Sequence, residues 1–108
     1  MANTYKVLGQ VSPAATTLTT LYTVPSATST VCSTLVVCNR GSMTSVRVAV
    51  RPAGASISNE HYIVYDPIIN SNDTLFLTLG ISLAATDVVS VYSDSTNISF
   101  SLFGQEIA

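Results

Sequence analysis

The stretch that decides the predicted fold is residues 29–54, STVCSTLVVCNRGSMTSVRVAVRPAG, which holds two apolar segments separated by a polar sequence. In the first segment, which ends at Cys38, both alternating sets of residues are apolar, small or β-branched. Neither face of such a strand suits water, so we expect it inside a sandwich or beneath a partner. In the second segment, Val46, Val48 and Val50 alternate with Ser, Arg and Ala, which predicts a strand with one wet face.

The sequence NRGS at residues 39–42 provides the polar turn between these two segments. Gly41 is able to take a positive φ at little cost, and Asn is favoured in turns. We therefore expect the two strands to pair as a hairpin, and the remaining strands to repeat this pairing.

Short apolar segments bounded by turn residues continue along the whole chain, and no stretch has sustained helical periodicity. The predicted strands are residues 5–11, 17–24, 29–39, 45–51, 61–65, 74–79, 88–92 and 98–103. About eight strands at this spacing are typical of an all-β protein. We predict a single-domain antiparallel β-sandwich, jelly-roll or Ig-like, over residues 1–108, in which residues 1–12 are a candidate peripheral arm. Its expected core is Val46, Val48, Val50, Leu75, Leu77, Ile98, Phe100 and Leu102.

The composition is unusually apolar for a chain of 108 residues, with 47% hydrophobic and 9% charged residues. Charged residues usually make up about 25% of a globular domain. No apolar run approaches the roughly 20 residues that span a bilayer, and the N-terminal sequence has no signal-peptide core. We therefore expect the apolar excess to be buried within the fold and against other subunits. No membrane partner is expected without a long apolar run, and no nucleic acid is expected because a net charge of −2 does not attract one.

The few charges are unevenly placed along the chain. All Lys and Arg residues lie in the first half, and all Asp and Glu residues lie in the second. In a two-layer fold this distribution gives either a basic and an acidic patch or a chance arrangement of ten charges.

The two cysteines are not expected to form a disulfide. Cys32 and Cys38 are six residues apart on one predicted strand, which separates them by about 20 Å. A disulfide requires Cα atoms within about 7 Å. With no C-x-x-C sequence and one histidine, zinc is not expected either, and both cysteines are interpreted as small buried hydrophobes.

No group of residues predicts catalysis, a cofactor or a metal. His61 is the only imidazole, and no serine lies in a G-x-S-x-G sequence, so His61 is interpreted as structural. The aspartates fall at strand ends, where they cap turns, and residues 70–73 are the one loop with enough oxygens to suggest calcium. The five tyrosines are distributed over four or more strands and are expected at core edges and subunit contacts.

Several segments resemble small virion structural proteins of tailed bacteriophages, especially those of cyanobacterial and marine hosts. They are KVLGQ at 6–10, LYTVP at 21–25, VCNRG at 37–41, RVAVRPAG at 47–54 and SFSLFG at 99–104. The resemblance covers almost the whole chain. It implies a non-enzymatic β-sandwich that is present in many copies in a particle, and it carries no catalytic residue.

From this resemblance and the composition we expect a capsid decoration, or cement, protein. Its partner is then the phage major capsid protein, whose neighbouring subunits it binds on the outer surface of the head after assembly in the host cytoplasm. Self-association is expected from the composition, and a trimer by analogy with other decoration proteins. A tail, baseplate or fibre-associated module is the alternative within the virion. A host-attachment carbohydrate-binding module is a further alternative, which the absence of tryptophan disfavours.

Three arginines on the predicted hairpin are the candidate interface residues. Arg47 and Arg51 are four residues apart in a strand and therefore share a face about 13 Å apart, while Arg40 lies at the turn. Burying them without a partner is costly, so they must meet water or a partner. We expect this face to bind a carboxylate-bearing partner, which a guanidinium recognises with two hydrogen bonds. The alternative is a solvated outer face.

Overall fold

The structure, a computed structural model, describes residues 3–108 as eight antiparallel strands in two four-stranded sheets. Met1 and Ala2, the first residues of the candidate arm at 1–12, lie outside the described residues. The strands are β1 (Asn3–Val11), β2 (Thr19–Thr23), β3 (Ser29–Asn39), β4 (Thr44–Arg51), β5 (Tyr62–Ile69), β6 (Thr74–Leu83), β7 (Val88–Ser93) and β8 (Ile98–Ile107). This confirms the predicted all-β antiparallel sandwich. Within residues 3–108, no helix is long and apolar enough to cross a membrane.

The strand order identifies which sandwich this is. Sheet A has the order β1-β8-β3-β6, and sheet B has the order β2-β7-β4-β5. The chain therefore pairs as one long hairpin, β1 with β8, β2 with β7, β3 with β6 and β4 with β5. This hairpin is wound up so that β8 also pairs with β3, and β7 with β4. Such winding is the jelly-roll topology, which selects between the two predicted sandwiches.

The predicted hairpin between β3 and β4 is wrong, because the two strands belong to different sheets. Residues 40–43 cross from sheet A to sheet B instead of forming a tight turn. Gly41 does not have a positive φ, and a side chain at this position would collide with Asn97. Facing each other across the sandwich, β3 and β4 each bury an apolar face in the shared core and gain two neighbouring strands, which a two-stranded hairpin does not offer.

The predicted core residues lie between the sheets. Five of them are fully buried: Val46, Val48, Ile98, Phe100 and Leu102. The other three, Val50, Leu75 and Leu77, are partly buried and pack against this core. Period-2 alternation therefore identified the inner faces of β4, β6 and β8 correctly.

A β-bulge in β3 places the two cysteines on opposite faces of sheet A. Between Cys32 and Thr34, β3 has one residue more than β8. Before the bulge the even-numbered residues face the core, and after it the odd-numbered residues do, beginning with Leu35. Cys32 is therefore buried in the core. Cys38 lies on the outer face and is only half-buried, which corrects its interpretation as a buried hydrophobe.

Two strands continue where turn residues predicted their ends. β5 passes through Asp66 and Pro67 to Ile69, with Asp66 at φ 57°, and the register to β4 shifts there. β6 passes through Gly80 at φ 62°, and the register to β3 shifts nearby. A bulge absorbs each irregular residue, so local turn chemistry bends these strands without ending them.

The side chain of Asn39 ties the crossing at residues 40–43 to the turn between β5 and β6. It is 1% exposed. Its Nδ2 lies 2.9 Å from the carbonyl oxygen of Ser42, 3.2 Å from that of Ile69 and 3.1 Å from that of Asn70. Its Oδ1 accepts the Gly41 N–H at 2.9 Å. One side chain thus donates to the buried carbonyl of Ile69 and to the part-buried carbonyls of Ser42 and Asn70, which lie in two separate connections.

Candidate interaction surfaces

The outer face of sheet A carries apolar and uncharged polar side chains. Outward positions alternate along each strand with those that face the core. Its large apolar members are Tyr5, Val7, Val31, Val36, Phe76 and Phe103. Ile107 is a further apolar member, the remaining outward side chains are Ser, Thr, Asn, Gln and Cys, and we name this surface the uncharged face. One of its two central strands is β3, the strand predicted to have no water-facing side, and the other is β8.

The described strands of sheet A contain only two charged residues, and in the strand register both occupy positions on the side of the other sheet. Lys6 and Glu106 pair with each other, with 3.2 Å between Nζ and Oε1. The exposed fractions are 78% for Tyr5, 71% for Phe76 and 46% for Val7. A monomer that shows aromatic rings on a surface without charges has the features of an interaction site.

A groove of about 430 Å³ lies on the uncharged face. Its walls come from β1, β3 and β8, and Lys6 is the one charged residue among those that line it: Tyr5, Lys6, Val31, Ser33, Phe103, Gly104 and Gln105. The side-chain oxygen of Gln105 is buried without a hydrogen-bond partner in residues 3–108. The groove therefore offers a mostly apolar lining, which fits an apolar protrusion of a partner better than a charged one.

Behind the uncharged face, a buried polar network joins the two sheets. The Tyr22 hydroxyl of sheet B donates to Oε2 of Glu106 in sheet A at 2.6 Å, and lies 2.7 Å from the Thr30 hydroxyl oxygen. Burial and the hydrogen bond to Glu106 raise the pKa of Tyr22 to about 12. The same hydrogen bond lowers the pKa of Glu106. These partners satisfy each other, so the network links the two sheets.

On the opposite side of the molecule, the outer face of sheet B is organised around Arg47. Its Nε and Nη2 donate to the two carboxylate oxygens of Asp66 at 2.7 and 3.0 Å. The guanidinium carbon lies 4.4 Å from the ring centroid of Tyr65 and 5.0 Å from that of Tyr92. The hydrogen bond to Arg47 lowers the pKa of Asp66, and the same bond raises the pKa of Arg47. The bidentate carboxylate that we expected from another molecule is supplied here by the same chain.

The three candidate interface arginines do not form one continuous surface. Arg47 and Arg51 share the outer face of sheet B, as expected from their spacing. Arg51 donates to the Ser90 hydroxyl at 3.1 Å and to the Ala55 carbonyl at 3.1 Å. Arg40 follows β3 and donates to the Ser12 hydroxyl at 3.0 Å. Each guanidinium thus has a partner within the chain, and a role for these arginines at an interface stays a prediction.

Three tyrosines lie together beside Arg47, and sequence reasoning missed this arrangement. We name Tyr62, Tyr65 and Tyr92 the tyrosine cluster. The rings of Tyr62 and Tyr65 meet edge to face with centroids 5.0 Å apart. A groove of about 410 Å³ is lined by Asn59, Tyr62 and Tyr65. Tyr62 and Tyr65 are three residues apart on β5, a spacing that predicts opposite faces, and a register shift between Val64 and Tyr62 lies between them. Tyr92 joins them only through the pairing of β4 with β7.

The polar residues considered for chemistry act as local caps. The His61 ring nitrogen Nδ1 accepts the Ser58 N–H at 3.2 Å in a short 3-10 turn. Asp73 accepts the Thr74 N–H at 2.8 Å, and Asp87 accepts those of Ala53 and Ala84 at 2.9 Å. The turn-capping prediction for these aspartates is confirmed. In the part of the chain that the structure describes, no three His, Cys, Asp or Glu residues are placed to hold a metal ion.

A scan against protein-family models, a search of curated proteins and a search of solved structures each find no match to this chain. The two outer faces therefore carry the functional inference. One has exposed aromatic rings and no charged residue at its outward strand positions, and the other has charges that are already paired.

Proposed function

We propose that this chain is a non-enzymatic virion structural protein, a capsid decoration protein that binds the major capsid protein on the outer surface of a phage head. The single observation that supports this proposal most strongly is the uncharged face. A surface with Tyr5 and Phe76 more than two-thirds exposed is suited to being covered in an assembled particle.

The uncharged face is the docking surface in this proposal, and its occupant is an uncharged, apolar surface of the capsid subunit. A charged partner surface would lose its hydration against sheet A and gain no opposite charge in return. The outer face of sheet B that carries Arg47 and Arg51, which we name the arginine face, is the weaker candidate, because Arg47 already binds Asp66 through both carboxylate oxygens. Docking through the uncharged face also predicts an attachment that changes little with ionic strength, since salt screens charges and leaves apolar burial intact.

Two matched lysine substitutions test this docking surface. Val7 on the uncharged face and Ile63 on β5 of the other sheet are 46% and 44% exposed. Binding of purified protein to undecorated heads is measured for Val7→Lys and Ile63→Lys over a salt series. We expect Val7→Lys to weaken attachment at least about tenfold, since a buried unpaired charge is costly, and Ile63→Lys to bind like the wild type.

The double variant Arg47→Ala and Arg51→Ala is the competing test. Loss of attachment in this variant, with wild-type binding that falls steeply with salt, would assign docking to the arginine face. Unchanged attachment of Val7→Lys would reject the uncharged face. The copy number per virion separates a head protein from the alternative tail, baseplate or fibre module, because decoration requires hundreds of copies.

A host-attachment carbohydrate-binding module is the second candidate function, and the tyrosine cluster favours it. Tyr65 is 60% exposed beside the groove with Asn59, and aromatic rings next to amide groups suit the apolar and hydroxyl faces of a sugar. Glycan-array binding that Tyr65→Ala abolishes and Val7→Lys retains would support this function. An array without any bound glycan would count against it.

A further inference from the structure

Each sheet has two edge strands, and three of these four edges carry features that block pairing with another chain. An unpaired edge exposes a row of N–H and C=O groups that invites a further strand. β1 contains the charged Lys6 and a register shift next to Leu8. β2 is only five residues long and also has a register shift. β5 contains Asp66 and Pro67, with Asp66 at φ 57°.

The fourth edge, β6, lacks charge and proline. Its ten residues, TLFLTLGISL, run from Thr74 to Leu83. The register to β3 stays regular from Thr74 to Thr78, and shifts only near Gly80. The Phe76 side chain on this edge is 71% exposed. A regular, uncharged edge with an exposed aromatic ring is a template for strand addition.

We propose that two copies of this chain pair through β6, antiparallel, across a two-fold axis centred on Phe76. In this register Thr74 lies opposite the partner's Thr78, and Leu75 lies opposite the partner's Leu77. Phe76 lies opposite the partner's Phe76. Every pair therefore matches like with like, with Thr and Phe on the outer side and Leu on the inner side. An axis centred on Leu77 would instead place Thr74 opposite the irregular Gly80 of the partner.

The pairing makes one continuous eight-stranded sheet from the two copies of sheet A, and the two uncharged faces lie side by side. A two-fold interface uses the same patch on both subunits, so it closes with two copies. Both β6 edges are then paired with each other, and a third copy finds no free β6 edge to join. The dimer does not depend on the capsid, and it differs from the trimer expected by analogy.

Charge exchange at Phe76 tests the pairing in sedimentation experiments on purified protein. We expect a wild-type dimer. Phe76→Lys and Phe76→Glu each place like charges directly opposite one another, and should raise the dimer dissociation constant at least about tenfold. An equal mixture of the two variants should restore the dimer, because opposite charges then meet. Val7→Lys, on the same sheet but at the other edge, should remain dimeric.

A monomeric or trimeric wild type, a dimeric Phe76→Lys variant or a mixture that stays monomeric would each overturn the pairing. If the Phe76 variants do not fold, the double variant Thr74→Lys and Thr78→Lys places lysine opposite lysine in both flanking pairs and provides the same test, and a dimer of that variant is equally contrary. A monomeric wild type that still decorates heads would overturn the pairing and leave the proposed function standing.

Discussion

Tyr22 and Glu106 connect the two sheets through a hydrogen bond of 2.6 Å between the phenolic hydroxyl and a carboxylate oxygen. The residues are 84 positions apart, on β2 and β8. Glu106 also pairs with Lys6 of β1, so three strands meet at one carboxylate. Because the hydroxyl must keep its proton and the carboxylate must lose its own, this contact depends on pH at both ends of the scale.

At acidic pH, the contribution of Glu106 to stability should disappear. The hydrogen bond from Tyr22 lowers the pKa of the folded Glu106 below its unfolded value of about 4.3. A depressed pKa contributes stability above the unfolded value, and this is lost as the pH falls through the folded value. Glu106→Gln should therefore lower the melting temperature at pH 7, and its difference from the wild type should shrink in thermal unfolding below pH 4. A constant difference would contradict this.

At alkaline pH, Tyr22 should limit stability. Its pKa is raised to about 12, so the protonated hydroxyl stabilises the fold fully below the unfolded value of about 10. That contribution is lost as the pH rises through the folded value. Tyr22→Phe should be less stable at neutral pH and should lack this loss between pH 10 and 12, as followed by circular dichroism. The exposed Tyr5→Phe is the matched control and should behave like the wild type.

Replacing Asn39 should destabilise the protein strongly. Asn39→Ala leaves the buried Ile69 carbonyl and the part-buried carbonyls of Ser42 and Asn70 without this donor, at a cost of about 1–3 kcal/mol for each group that stays unsatisfied. We expect the free energy of unfolding in urea to fall by about 3 kcal/mol. The exposed Asn59→Ala should change it by less than about 0.5 kcal/mol. Equal effects of the two substitutions would show that the Asn39 contacts do not matter.

The two cysteines should differ in reactivity. Cys38 is half-buried on the outer face, whereas Cys32 is fully buried and its thiol pKa is raised by burial to about 11. Alkylation of the folded protein should modify Cys38 only, because the reactive thiolate of Cys32 is suppressed and shielded. Mass spectrometry should find the second modification after unfolding. Modification of both thiols at equal rates in the folded state would contradict the bulge at residues 32–34.

The sequence was sufficient for the class of fold and for most of the core, because alternation is a local property. Val46 and Val48, like Ile98 and Phe100, alternate with polar or small residues, and they are buried as predicted. Local pattern does not encode which strand becomes the neighbour. The polar residues after Asn39 suit a hairpin and a crossing between sheets equally well, and only the long-range pairing of β3 with β6 and β8 distinguishes them.

The interaction surfaces were less accessible to sequence reasoning for the same physical reason. The sequence of β3 indicated a strand without a water-facing side. The uncharged face, however, is formed together with β1 and β8, which come from opposite ends of the chain and pair only in the folded protein. Arg47 and Arg51 were placed correctly on one face. The partner of Arg47 was not foreseen, because Asp66 was expected to end a strand and instead lies in a bulge with positive φ.

The nested strand order has a consequence for how the chain folds. β4 and β5 are close in sequence, and each later pair, β3 with β6, β2 with β7 and β1 with β8, encloses the one before. Once an inner pair has formed, the next has only two short connections to close, so its entropic cost is far below that of the full separation along the chain. We therefore expect β4 and β5 to pair first, each enclosing pair of strands to form after the one inside it, and β1 to join last. The edge of the uncharged face that carries Tyr5 and Val7 is then completed only when the rest of the sandwich is in place.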